Sequence, residues 1–238
     1  STRNKGTQIP LMNITKQNTG RKPIMKREAF LLRIKPGKKD EFKARLANVS
    51  EEMKNAWKHM GYDNYSIWSV DDYAFGYREV DETAAPTEAD KALCAEWIDK
   101  MSDVCEYIAK PGTMRLMYHC IGNVRKDKSL IRHRVFATLI KPGCADEYFN
   151  RHQALVDARG DEVPDGPETN FTIWCADGKY NFGYCELVRS YDHEMTEEER
   201  ASTVAWETRQ LGIMDWLTDD VDWMTGDKHP HIEKLFAL

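Results

Sequence analysis

Apolar and polar positions along this chain fall into a pattern that occurs twice. "AFLLRI" (Ala29–Ile34) and "VFATLI" (Val135–Ile140) are short apolar runs that predict strands. Each stops at Lys-Pro-Gly, residues 35–37 and 141–143. Proline lacks the ladder donor and glycine takes a turn, so the tripeptide marks a strand-to-helix junction. Beyond the first junction Phe42, Leu46, Val49 and Met53 recur near helical spacing and predict a helix. Two strands then follow in each half, "YSIWSV" with "AFGYREV" and "FTIWCA" with "NFGYCELV", around short turns at "DDY" and "DGKY". A second helix is predicted from Glu88 to about Tyr107, and its counterpart from Glu197 to Trp216 or beyond, with Thr87 and Thr196 at the capping positions. A last strand, "MRLMYHC" or "IEKLFAL", closes each half.

The halves are copies of one another. Ala29–Arg45 aligns with Val135–Arg151 at an offset of 106 residues, and Asn64–Asp72 with Asn170–Gly178 at the same offset. "FGYREV" meets "FGYCEL" one residue further on. A register held over so long a stretch identifies a tandem duplication. The expected divisions are a flexible arm (1–26), a first repeat (27–125) and a second (132–238), with a charged linker around Ile121–His133. Each repeat reads β-α-β-β-α-β, the ferredoxin-like order. Such a sheet carries helices on one face and leaves the other open, and two open faces can bury each other. The predicted fold is therefore α+β: two ferredoxin-like repeats packed as an intramolecular pseudo-dimer of the dimeric α/β-barrel type. Further oligomerisation is left open.

Composition narrows the chemistry. The 238 residues suit one or two domains, and 41% hydrophobic content fills one or two cores. The net charge of −5 gives no electrostatic case for nucleic acid. No run of about 18 apolar residues and no signal-peptide core is present, so no membrane partner is expected and the expected compartment is the cytoplasm, with N-terminal processing left open. Six cysteines lack CxxC spacing and read as reduced, buried small residues. His229 and His231 flank Pro230 without a carboxylate or thiol paired to them. Neither metal nor cofactor is expected.

In its motifs the chain resembles the L-rhamnose mutarotases. The likeness rests on the strand ending in Lys-Pro-Gly, "DEYFNRH" on the first helix, "NYSIW" on the second strand, the Phe-Gly-Tyr motif before a glutamate, and a tryptophan-bearing second helix. The resemblance implies a small-molecule sugar partner and a catalytic histidine on the first helix. It also implies a tyrosine one turn before that histidine, a tyrosine on the second strand and paired tryptophans on the second helix. Carried over, the helix pair falls on Tyr148 and His152, where the first repeat has Phe42 and Leu46. The strand tyrosine falls on Tyr65 but is Phe171 in the second repeat, and the first tryptophan falls on Trp97 and Trp216. No repeat keeps the whole set.

Interconverting α and β anomers requires the ring to open, which moves one proton onto the ring oxygen and another off the anomeric hydroxyl. An imidazole titrating near neutrality suits that task. Residues i and i+4 share a helix face, so Tyr148 and His152 reach one ligand together. An indole such as Trp216 offers an apolar plate to the sugar's CH face. The expectation is a mutarotase of L-rhamnose or a related sugar, with its site in the second repeat and the matching volume of the first filled or differently shaped. Two other classes compete: a non-catalytic carbohydrate-binding or scaffold protein, and a different cofactor-independent enzyme of the barrel type. Trp68, Trp174, Tyr77 and Tyr184 occupy equivalent strand positions and are read as core.

Overall fold

The computed structural model describes residues 25–219 and 231–238. The first 24 residues of the arm, and His229, lie outside them. Among the described residues, ten strands form two five-stranded antiparallel sheets. The first repeat supplies β1 (Met25–Ile34), α1 (Lys39–Ala47), α2 (Glu51–His59), β2 (Tyr62–Val70), β3 (Tyr73–Asp81), α3 (Glu88–Met101), β4 (Cys105–Ala109) and β5 (Arg115–Cys120). The second supplies β6 (Ile131–Ile140), α4 (Ala145–Arg159), β7 (Glu168–Ala176), β8 (Tyr180–Val188), α5 (Glu197–Leu211), β9 (Met214–Asp219) and β10 (Glu233–Ala237).

The strand orders are β10-β2-β3-β1-β4 and β5-β7-β8-β6-β9. The closing strand of each repeat thus pairs with the other repeat's sheet: β5 runs antiparallel to β7, and β10 to β2. The strand that completes a repeat's own ferredoxin-like unit is instead β4 or β9, which pairs with β1 or β6. Both lie in segments the sequence reading assigned to the second helices. Those helices end at Met101 and Leu211, so Tyr107 and Trp216 are strand residues. Short β strands next to a helix have too few residues to show an alternation of their own. The first predicted helix is also interrupted. Ser50 accepts a hydrogen bond from the Met53 amide and starts α2 as a separate helix, whereas α4 runs unbroken. Thr87 and Thr196 each form a reciprocal capping box, with Asp90 and Glu199.

Alternation along the strands fixes three cores. The inner faces of the two sheets meet over Ala29, Leu31, Phe75 and Tyr77 from one repeat and Val135, Ala137, Phe182 and Tyr184 from the other, with Trp68 and Trp174 beside them. The pseudo-two-fold is visible in the aromatic pairs. Tyr77 stacks on Tyr184 with centroids 3.8 Å apart, and Phe75 on Phe182 at 5.0 Å. Each outer face packs under the helices of its own repeat.

The rim of the inner interface is polar and reciprocal. The Asn170 amide donates to Glu79 at 2.7 Å, and the Asn64 amide to Glu186 at 2.7 Å. Tyr77 and Tyr184 donate to the same two carboxylates at 2.9 Å. Burial pushes the Glu186 carboxyl up, but the Lys128 ammonium at 2.8 Å and the two asparagine amides outweigh it, leaving it below its ordinary value. The repeats are thereby locked in register as well as glued.

Two glycines are dictated by geometry. Gly76 and Gly183 of the Phe-Gly-Tyr motifs lie opposite Phe30 and Phe136, and an added Cβ would fall 2.0 Å and 2.2 Å from those rings. The missing side chain lets each phenylalanine lie flat across the sheet, under the helices.

The six cysteines are free; Cys105, Cys175 and Cys185 are buried, while Cys94, Cys120 and Cys144 are partly exposed. Among the described residues no helix is long and apolar enough to cross a membrane.

Candidate functional site

Between helices and outer sheet face, each repeat encloses a cavity. The second repeat's cavity measures about 200 Å³ and lies between α4, α5 and the sheet. Tyr148 and His152 line it from one face of α4, together with Phe171 of β7, Trp206, Glu207 and Gln210 of α5, and Trp216 of β9. Tyr118 lines it too, brought by the exchanged strand β5. The second cavity is therefore walled by both repeats.

His152 is only 5% exposed. Its ring stacks on Tyr148 with centroids 4.2 Å apart and meets the edge of Trp206 at 5.3 Å. Its Nδ1 lies 2.9 Å from the Tyr148 carbonyl, which can only accept. Nδ1 therefore carries the proton and donates, leaving the Nε2 lone pair for a ligand. Burial pushes the imidazole below its ordinary value, and the neighbouring Arg151 charge adds to this, while the bond to the Tyr148 carbonyl opposes it. The group is neutral at pH 7. Burial and the Glu207 carboxylate push the Tyr148 phenol far up, so it stays protonated and can donate. Asn181 lies near enough to ease that phenol's shift slightly, without the geometry of a hydrogen bond.

Three polar residues that sequence reasoning missed lie here. Thr138, Asn181 and Gln210 are at most 1% exposed. The Thr138 hydroxyl and both amide groups have no hydrogen-bond partner among the described residues. Thr138 and Asn181 face each other across β6 and β8 on the helix side of the sheet, and Gln210 lines the cavity itself. Leaving such groups unpaired costs about 1–3 kcal/mol each, so their presence calls for an explanation.

The first repeat's cavity is the larger, about 520 Å³. It is neither filled nor closed by Phe42 and Leu46, which line it with Leu32, Met101 and Ile98. Tyr65 and Trp97 belong to this cavity, so the six site residues named from the sequence divide four and two between the repeats. Trp57, Tyr62 and Tyr107 complete an aromatic wall. Arg78 reaches it from β3, with Nε and Nη2 donating to Glu28 at 3.1 and 2.8 Å and the guanidinium 3.8 Å over Tyr62.

Register now corrects one equivalence. Thr138 lies opposite both Asn181 and Trp216, as Leu32 lies opposite Ala74 and Tyr107. Trp216 is thus the counterpart of Tyr107. Aligning the caps Thr87 and Thr196 places Trp206, not Trp216, opposite Trp97. The two tryptophans were misaligned because helix lengths were extrapolated through β4 and β9; the signal that could have found Trp206 was the matching Thr-Glu helix start. Trp216 remains on the cavity wall, contributed from a strand.

Histidine perturbation alone does not mark a site. His133 is pushed down to about 4, chiefly by burial, yet it sits between the sheets against Trp68 and Tyr184 and opens on no described cavity. No cluster of three or more metal-ligating side chains occurs among the described residues.

Residues 27–120 match the family model described as L-rhamnose mutarotase. Over 83 residues the chain is 35% identical to L-rhamnose mutarotase from Listeria monocytogenes serovar 1/2a, covering 34% of this chain and 80% of that protein. The homologue from serotype 4b is 34% identical over the same coverage. Among solved structures, a candidate monooxygenase of Fusobacterium nucleatum superposes with a TM-score of 0.45 at 8% identity, over 89% of this chain and 92% of the other. One from Lactobacillus acidophilus gives 0.40 at 8% identity, over 89% and 98%. By its motifs and by its identity to these mutarotases over most of their length, the chain belongs to the L-rhamnose mutarotase family.

Proposed function

We propose that the chain is a sugar mutarotase whose working site is the second repeat's cavity. One observation carries this reading. At equivalent positions lining the cavities or in the sheet beside them, the first repeat has Phe42, Leu46, Leu32, Ala74 and Met101, and the second has the buried Tyr148, His152, Thr138, Asn181 and Gln210. Five apolar side chains stand against five that can hydrogen-bond. Drift would not keep buried polar groups in one place, since each is costly unless something pairs with it. A polyhydroxylated ligand of pyranose size would supply the partners.

The chemistry follows from the tautomer of His152. With Nδ1 donating to the Tyr148 carbonyl, neutral Nε2 takes the proton of the anomeric hydroxyl. The bond from the anomeric carbon to the ring oxygen then breaks, leaving an open-chain aldehyde, and the imidazolium returns the proton to the former ring oxygen. Rotation of the aldehyde and reversal of these steps gives the other anomer, with no net change in protons. Tyr148 donates to a sugar hydroxyl, while Phe171 and Trp216 offer apolar faces to the sugar's CH groups. Because Phe171 carries no hydroxyl where the first repeat has Tyr65, the preferred sugar differs from L-rhamnose in the group that hydroxyl would meet.

Anomer exchange followed by saturation-transfer NMR tests this, with freshly dissolved α-L-rhamnose and a panel of deoxy and neutral sugars. Acceleration with at least one sugar is expected, falling by about 10²- to 10⁴-fold in His152→Ala. Saturable sugar binding without exchange would instead favour a carbohydrate-binding module, and neither binding nor exchange with any sugar would overturn the reading.

A further inference from the structure

The first repeat's cavity is unused by this mechanism, and its chemistry opposes that of the second. We infer that it binds a flat, uncharged, largely apolar ring compound bearing a hydroxyl or carbonyl oxygen, a phenol or fused-ring aromatic rather than a sugar.

Size comes first. At about 520 Å³ the cavity lies within the range of small-molecule sites and exceeds its twin at about 200 Å³. Its walls come next. Trp57 presents an edge to Trp97 at 5.6 Å and to Tyr65 at 5.4 Å, so the indoles are braced by each other and by the sheet. With Phe42, Leu46, Leu32 and Met101 the floor is hydrocarbon. A pyranose placed against these walls would leave hydroxyls facing apolar side chains without partners, which is unfavourable. An aromatic ring would gain from the apolar surface it removes from water, with edge-to-face contacts in addition.

Ser102, Glu106 and Lys110 line the cavity from exposed positions, so buried polar anchoring is sparse. The Tyr65 side chain is 6% exposed, lines the cavity and makes no hydrogen bond among the described residues. Its hydroxyl is free to donate to one oxygen of a ligand. The Arg78 charge is already compensated by two hydrogen bonds to Glu28, so the cavity does not call for an anion. Ile98 is half exposed at 51% and stands at the cavity's edge, an apolar group on the path from solvent.

Titration of the full chain with 1-naphthol and with naphthalene, read by tryptophan fluorescence, tests the inference. Saturable one-to-one binding is expected, unaffected by excess L-rhamnose and by His152→Ala. Cys94→Trp, which fills the cavity from α3, should weaken both probes at least tenfold. If that variant does not fold, Tyr65→Phe decides: it should weaken 1-naphthol severalfold and leave naphthalene unchanged. Absence of saturable binding, competition by rhamnose, or loss in His152→Ala with Tyr65→Phe silent would each overturn the assignment. Because the two cavities are assayed with different ligands and variants, failure here leaves the mutarotase reading standing, and the converse holds.

Discussion

The two cavities occupy equivalent places in the two repeats and differ in what lines them. The family model matches residues 27–120, within the first repeat. Yet its cavity carries Phe42 and Leu46 where the second carries Tyr148 and His152. The stretch that matches the family model and the cavity with the more polar lining are therefore not the same part of the chain. Resemblance integrates over strands, turns and core, where Phe-Gly-Tyr and Lys-Pro-Gly recur in both halves. Chemistry depends on a few side chains, which duplication frees in one copy. The first cavity stays open with apolar side chains at these positions, because the backbone around it is held by the sheets and not by what fills it.

The sharpest way to break the contrast is to transplant one lining into the other. Tyr148→Phe with His152→Leu installs the first repeat's pair in the second. Exchange is expected to fall by at least 10²-fold, about 3 kcal/mol or more in transition-state stabilisation, with the fold intact by circular dichroism. The reverse graft, Phe42→Tyr with Leu46→His, should create no activity, since Leu32, Ala74 and Met101 still offer the sugar nothing. It should destabilise the protein by about 1–3 kcal/mol in urea unfolding, because two buried polar groups gain no partners. Exchange activity carried by the grafted first cavity in a His152→Ala background would show that the pair suffices, and the wider polar contrast would lose its meaning.

A smaller effect tests the missed residues. Gln210→Met places the first repeat's residue in α5. The unpaired amide disappears, so stability should rise by about 1 kcal/mol while exchange slows severalfold. Opposite signs in stability and activity mark a group kept for a ligand. A loss in both would mean that the amide is structurally paired.

The fold was legible where it depended on local pattern. Repeats, turns and helix starts followed from Lys-Pro-Gly, from the paired strands and from Thr87 and Thr196. Where each element goes in space was less legible. Nothing in "MRLMYHC" or "IEKLFAL" says which sheet it joins, since an edge strand needs only a complementary partner, and in a duplicated protein two are on offer. That choice puts Tyr118 into the second cavity and makes the site a property of both halves. Among site residues, Tyr148 and His152 stood out through resemblance and spacing. Thr138, Asn181 and Gln210 did not, because a lone polar residue in an otherwise ordinary strand or helix looks solvent-facing until its burial is known. Comparing the repeats position by position would have exposed them, but only with α3 and α5 aligned on their caps.

The finest distinction between the halves is their response to pH. The second cavity holds a buried imidazole and the first none. In His152 burial is the main force lowering the pKa from its ordinary 6.5, with Arg151 adding to it. Since the neutral form acts as base, exchange at low sugar concentration should hold steady down through pH 6.5 and fall only as the depressed pKa is crossed. The sign for stability is the same. The unfolded chain binds this proton at a higher pH than the folded one, so unfolding becomes easier as pH drops below the unfolded value. His152→Leu should flatten that slope, whereas Leu46→Ala should lower stability by an amount that does not vary with pH. Arg151→Met removes the lesser of the two causes, so it should move the acid limb of the exchange profile slightly upward, toward 6.5. A limb that moved down, or a midpoint at or above 6.5 in the unmodified protein, would mean that His152 is not the group whose ionisation the rate follows.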